Sequence, residues 1–193
     1  GTLDLARIET GKLKLDLRPM RFRDCLGELV GLFELQAQDK GLVFRHEFSA
    51  HLPEVVRADE KRLRQILINL LGNAVKFTPP APPAAPAAPA PPAPPGAGDS
   101  NPGHPVRPGE VLLRLDYSGQ MARIEISDSG PGMTEAELAR VFEPFERGQA
   151  ATAAAGTGLG LTISRMLTDL MGGELTVRST PGVGTRFFIR LFL

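Results

Sequence analysis

Residues 59–78 read DEKRLRQILINLLGNAVKFT, and the architecture of the chain is built around them. Leu63, Ile66, Leu67, Leu70, Ala74 and Phe77 recur at three- and four-residue steps and form one apolar stripe, so Asp59 to Phe77 is expected to be a long amphipathic helix lying on a core. At about 100° per residue, Arg62, Gln65, Asn69, Asn73 and Lys76 fall in an arc of roughly 80° bordering that stripe. A polar row at the rim of a core can hold a partly desolvated ligand, or it can be a solvated face. Asn69 and Asn73, four apart, project side by side, each with a carbonyl oxygen to offer. Asparagine is a middling helix former, so two of them in mid-helix need a reason.

Elements of both kinds flank this helix. Residues 13–18 alternate apolar and charged and suggest a half-buried strand ended by Pro19. A helix is expected through Phe22, Cys25, Leu26, Leu29, Val30, Phe33 and Ala37, stopped at Lys40-Gly41, with Cys25 as a core thiol. Residues 42–48 read as a strand, and 110–117 with 122–128 as a hairpin turning at Ser118-Gly119. Helices are expected at 134–142 and 159–171, and strands at 174–179 and 185–193 joined by Thr180-Pro-Gly-Val-Gly184. Together these predict an α+β fold, a two-layer α/β sandwich with strands mostly in hairpins and three helices over one face.

Composition excludes several functions. The 193 residues carry 22 Lys+Arg against 22 Asp+Glu, so no basic field favours nucleic acid. One cysteine cannot form an internal disulfide, which suits a cytoplasmic setting. No apolar run reaches the 18 or so residues a membrane span needs, so no membrane contact by this fragment is expected. Thirteen of the 18 prolines lie in residues 79–108, a stretch almost without large apolar side chains. It reads as an extended, disordered surface insertion within one domain, with a ligand for a proline-reading partner as the alternative.

Two further clusters bear on chemistry. Asp128-Ser-Gly130-Pro-Gly132 ends a strand: the glycines let backbone approach a ligand, and the acceptor-only carboxylate suits an exocyclic adenine amine while repelling the guanine carbonyl. Gly156-Thr157-Gly158-Leu159-Gly160 opens a helix with apolar positions Leu161, Ile163, Met166, Leu167 and Leu170. Alternate glycines at a helix N-terminus suit a phosphate cradle, although neither the P-loop nor the Rossmann spacing is met. Upstream, residues 147–155 contain no large apolar side chain and suit a mobile lid.

Taken together, these segments resemble the catalytic and ATP-binding domain of bacterial sensor histidine kinases, within the gyrase, heat-shock chaperone, histidine kinase and MutL ATPase superfamily. Asn69 to Thr78 resembles the N box, Asp128 to Gly132 the G1 box, Phe142-Glu-Pro-Phe145 the F box, Gly156 to Leu161 the G2 box, and Gly182-Val-Gly184-Thr185 the terminal glycine turn. The resemblance implies a Bergerat-type fold over residues 13–193 and the cofactors ATP and Mg2+. It implies that Asn73 coordinates Mg2+ and that Asn69 lies near the metal and the γ-phosphate. Lys76 would face the phosphates and Phe77 the adenine, with Asp128 reading the adenine amine beside Gly130 and Gly132. Gly156, Thr157, Gly158, Leu159 and Gly160 would wrap the phosphates, with Arg147 a further phosphate contact. Phe142 and Phe145 serve equally as core or as lid-docking residues.

The family's acceptor segment, similar to His-Glu-x-Arg-Thr-Pro, is not found, and His46, His51 and His104 lie in a strand, a loop and the insertion. Residues 1–12 resemble the tail of the dimerisation and phosphoacceptor hairpin, so the chain is expected to be a fragment of a longer kinase, homodimeric when intact and compatible with an anchor in the inner membrane. Its expected partners are its own dimerisation and phosphoacceptor domain and the receiver domain of a response regulator. Two other functions compete with phosphoryl transfer. A chaperone-type ATPase switch would carry a glutamate where Asn69 stands, and a degenerate nucleotide module would have lost the motif residues.

Overall fold

The computed structural model describes residues 2–81, 106–144 and 160–193. Helix α1 (Thr2–Glu9) leads through an extended segment to strand β1 (Arg18–Arg21) and helix α2 (Phe22–Lys40). Strands β2 (Val43–Phe48) and β3 (Val55–Ala58) precede helix α3 (Glu60–Phe77). The hairpin of β4 (Glu110–Ser118) and β5 (Met121–Asp128) comes next, then helices α4 (Glu135–Arg140) and α5 (Gly160–Leu170), and a closing hairpin of β6 (Glu174–Thr180) and β7 (Gly184–Phe192).

The central helix forms where its pattern places it, and local chemistry sets its ends. Asp59 caps α3, its Oδ1 accepting from the Arg62 N–H at 3.1 Å, while Oδ2 accepts from the Asp16 N–H at 2.9 Å. At the other end the Thr78 hydroxyl donates to the Ala74 carbonyl at 2.6 Å, and Lys40 of α2 donates to the last carbonyls, those of Val75 and Lys76. A lysine at a helix C-terminus complements the helix dipole as well as its orphan acceptors. Helix α2 stops at Gly41, whose φ of 78° is the left-handed cap that glycine adopts without strain.

Five strands form one sheet in the order β2-β4-β5-β7-β6, with only β2 and β4 parallel. The β4–β5 turn has positive φ at both central residues, Gly119 at 56° and Gln120 at 64°, the conformation that matches the twist of a two-residue hairpin. One face of the sheet, with Val111, Leu113, Leu115, Ile124, Ile126, Phe187, Ile189 and Leu191, packs against α2, α3 and α5. Leu26, Leu29 and Phe33 of α2, Leu63, Leu67 and Leu70 of α3, and Ile163 and Leu167 of α5 close that core. Each such side chain contributes roughly 1.5–3 kcal/mol on burial. Cys25 lies in the same core and burial pushes its thiol up to about 11, as befits a packing residue. The opposite face is a ladder of charges in which Arg114 meets Glu47 at 3.3 Å and Glu125 at 3.5 Å.

One expectation is overturned. Residues 13–17 are not a strand: Leu13 is buried but Leu17 is 47% exposed, and the strand instead spans Arg18–Arg21 with Pro19 inside it. It pairs antiparallel with β3, a strand that the sequence pattern does not announce, in a two-stranded ribbon outside the main sheet. Proline lacks an N–H to donate, and a ribbon with free outer edges tolerates it.

The described ends of the insertion come together. A Cβ built on Gly109 (φ 71°) would stand 2.5 Å from the Ala81 backbone nitrogen, and one built on Gly41 would stand 3.6 Å from the Pro80 Cβ. The middle of the insertion, residues 82–105, for which disorder is expected, lies outside the described residues.

Candidate functional site

The polar row of α3 runs along the border of the core. Asn69, Asn73 and Phe77 are half-buried and Lys76 is exposed, with its Nζ 5.8 Å from the Phe77 ring centroid. Arg62, at the start of the row, is buried and donates to Gln65 Oε1 at 2.9 Å. Asn69 reaches across to α5, where its Nδ2 donates to the Ser164 hydroxyl oxygen at 2.9 Å. Its Oδ1 faces Gly160, the first residue of α5, so closely that a methyl at Gly160 would stand 2.2 Å from that oxygen. Asn69 and the last glycine of the G2 box are therefore in contact.

Asp128 ends β5 and is 9% exposed. Its Oδ1 accepts from the Gly130 N–H at 2.9 Å, and the Thr185 backbone supports the carboxylate as well. Burial outweighs both hydrogen bonds and pushes its pKa up to about 6. A buried acceptor of this kind, still ionised near neutral pH, is costly to the fold and suited to a ligand donor.

Protein packing by itself requires the glycines around Asp128. A Cβ on Gly130 would meet Asp128 Oδ1 at 2.9 Å and the Phe77 carbonyl oxygen at 3.1 Å, and one on Gly132 (φ 70°) would meet the Thr180 carbonyl oxygen at 2.1 Å. On Gly184 the same atom would stand 2.0 Å from the Asp128 carbonyl oxygen. These glycines let three protein segments approach one another: the end of α3, the G1 turn, and the β6–β7 turn. Gly182 N–H completes the joint by donating to the Pro131 carbonyl at 2.7 Å.

Helix α4 opens with a capping box in which Thr134 and Glu137 satisfy each other's backbone N–H groups. After it, Phe142 packs edge-on to Phe187 with centroids 6.5 Å apart, lies under the Arg165 guanidinium at 4.7 Å, and accepts at its carbonyl from the Thr162 hydroxyl at 2.8 Å. This phenylalanine packs against β7 and α5, while the lid it was also expected to dock, residues 147–155, lies outside the described residues. Phe145, Arg147, Gly156, Thr157, Gly158 and Leu159 lie outside the described residues.

Sequence reasoning missed Ser164, Thr162 and Arg165. It placed the buried face of α5 on its apolar residues, yet Thr162, Ser164 and Thr168 are buried while Leu170 is 41% exposed. The available signal was three hydroxyl residues at positions 162, 164 and 168 of an otherwise apolar helix.

The residues fit ATP and Mg2+. Mg2+ takes oxygen ligands, keeps several waters, and needs one or two protein oxygens beside phosphates. Among the described residues no cluster of three or more His, Cys, Asp or Glu side chains could hold a metal, and Asn73 offers an amide oxygen one turn from the Asn69–Gly160 contact.

Comparison with known proteins identifies the fold and the family. The family model described as "Histidine kinase-, DNA gyrase B-, and HSP90-like ATPase" matches residues 58–193. The chain is 36% identical over 193 residues to the aerobic respiration control sensor protein ArcB of Escherichia coli, and 34% identical over 202 residues to the circadian input-output histidine kinase CikA of Synechococcus elongatus. These alignments cover 98% and 97% of this chain but only 21% and 22% of those proteins, so the chain spans about a fifth of their length. A crystal structure of full-length ShkA in complex with AMPPNP superposes with a TM-score of 0.73 at 30% identity, covering 98% of this chain and 34% of that one. The nucleotide-free catalytic domain of ThkA has the same fold, with a TM-score of 0.65 at 23% identity over 91% of this chain and 95% of that one. The chain belongs to the histidine kinase, DNA gyrase B and HSP90-like ATPase family, and within it is an ATP-binding catalytic domain of the sensor histidine kinase type.

Proposed function

We propose that this domain binds ATP with Mg2+ between α3, the G1 turn and the start of α5, and passes the γ-phosphate to a histidine on a neighbouring dimerisation and phosphoacceptor domain. The phosphoryl group then moves to an aspartate of a response regulator receiver domain. Asn73 would supply the metal with its amide oxygen, Lys76 a positive charge to the phosphates, and Phe77 a ring against adenine. Asp128 would accept from the adenine amine. Among the described glycines, Gly160 would bring the N-terminus of α5 toward the phosphates; Gly156, Gly158 and Arg147 belong to the same proposal. Bound Mg2+ would neutralise phosphate charge, which with positioning supplies most of phosphoryl-transfer catalysis.

The observation that carries this reading is the convergence of three distant segments, Asn69 on Gly160 and Ser164, and Phe77 on Gly130 beside Asp128. A hydrolytic switch is less well supported: where it would hold a glutamate, Asn69 spends its amide N–H on Ser164 and has no proton-accepting carboxylate. ATP with Mg2+ is expected to raise the melting temperature while GTP does little. Replacing Asn73→Ala is expected to abolish Mg2+-dependent ATP binding and phosphorylation of an acceptor domain supplied in trans. Equal shifts with both nucleotides, or unchanged transfer, refutes the assignment.

A further inference from the structure

We propose that Ser164 is a positioning residue for the γ-phosphate end of the site, acting through Asn69. The inference rests on the ATP reading above and extends it to a residue outside the N box and the glycine run. Ser164 stands one turn into α5 and is 1% exposed. A buried hydroxyl needs a partner, and this one has Asn69, 95 residues away on the facing helix, at 2.9 Å. Its backbone carbonyl is engaged as well, accepting from the Thr168 hydroxyl at 2.7 Å.

The hydrogen bond anchors the amide. A hydroxyl can accept from an amide N–H or donate to an amide oxygen, and here it accepts from Nδ2, which leaves the acceptor end on the other side. With Nδ2 held by Ser164, Oδ1 of Asn69 is the atom that lies against Gly160, at the N-terminus of α5 where the helix favours negative charge. Asn69 therefore presents an acceptor toward the end of α5 assigned to the phosphates, and that acceptor would suit a water carried by Mg2+ at the γ-phosphate end of the proposed site. Gly160 is part of the same device, since any side chain there would displace the oxygen. Without the serine hydroxyl the amide loses this anchor and is free to turn, and an N–H2 turned toward the same water cannot accept from it. The loss falls on ligands that carry a γ-phosphate.

The test is calorimetric titration of this chain and its Ser164→Ala variant with ADP and with AMPPNP, each with Mg2+. Ser164→Ala is expected to leave ADP affinity within about twofold and to weaken AMPPNP about five- to tenfold, with melting temperature little changed. In an Asn69→Ala background the serine substitution is expected to add nothing, because both changes remove one interaction. Equal effects on the two nucleotides, no effect on either, or additive effects in the double variant overturns the proposal. If the unaltered chain binds neither nucleotide, the ATP reading fails first and this inference with it.

Discussion

Replacing Asp128→Asn separates what this carboxylate costs the fold from what it gives the site. In the folded protein its pKa is raised to about 6 from 3.8, chiefly by desolvation. A raised carboxylate pKa means that the native state binds the proton more tightly than the unfolded chain. Between about pH 4 and 6 stability therefore falls as pH rises, and above pH 6 the full cost of the buried charge is present. Two units and a little more correspond to about 3 kcal/mol. Asparagine removes the charge and keeps an oxygen for the Gly130 N–H, but its amide nitrogen meets the support that Thr185 gave the carboxylate, so the realised gain is about 1–2 kcal/mol. For a domain of this size each kcal/mol moves the melting temperature by about 2–4 °C. Thermal unfolding from pH 4.5 to 8 is expected to show the variant several degrees more stable at pH 8, with the difference vanishing near pH 4.5. ATP affinity is expected to drop at least about tenfold at pH 8, since a donor now faces the adenine amine. A melting-temperature difference that is flat with pH would refute the buried-charge argument, and unchanged preference for ATP over GTP would refute the adenine role.

Close backbone approaches lead to two further predictions. Gly184→Ala puts a methyl 2.0 Å from the Asp128 carbonyl at a φ of 150°, and is expected to destabilise the domain by about 3 kcal/mol or more in denaturant melts, with ATP affinity falling as well. A loss below about 0.5 kcal/mol, the range of an unconstrained surface change, would show that the β6–β7 turn is free to move away. Replacing 82–105 with a short glycine-rich turn is expected to leave the melting temperature within a few degrees and ATP·Mg2+ affinity within about twofold, because Ala81 and Gly109 already touch. Loss of binding on that deletion would make the insertion part of the site.

What the amino-acid order determined by itself is whatever depends on near neighbours along the chain. The stripe of α3, the Lys40-Gly41 stop of α2 and the hairpins turning at Ser118-Gly119 and at Thr180 to Gly184 are legible because helix periodicity, stop signals and left-handed turns act over a few residues. The boxes were legible for the same reason, as short runs of asparagine, aspartate and glycine. Tertiary structure decided the rest. Residues 13–17 alternate like a strand yet pair with no strand among the described residues, while the four residues of β1 and of β3 are strands because each finds the other. The buried face of α5 runs through hydroxyl residues because Asn69 and the Phe142 carbonyl wait opposite them. The glycines of the G1 box answer to Phe77 and Thr180, segments brought to them by the fold. The pKa of Asp128 depends on desolvation by the whole core around it, and the orientation of Asn69 on a hydroxyl 95 residues away. Burial and long-range hydrogen bonds are properties of a packed interior, and no local pattern encodes them.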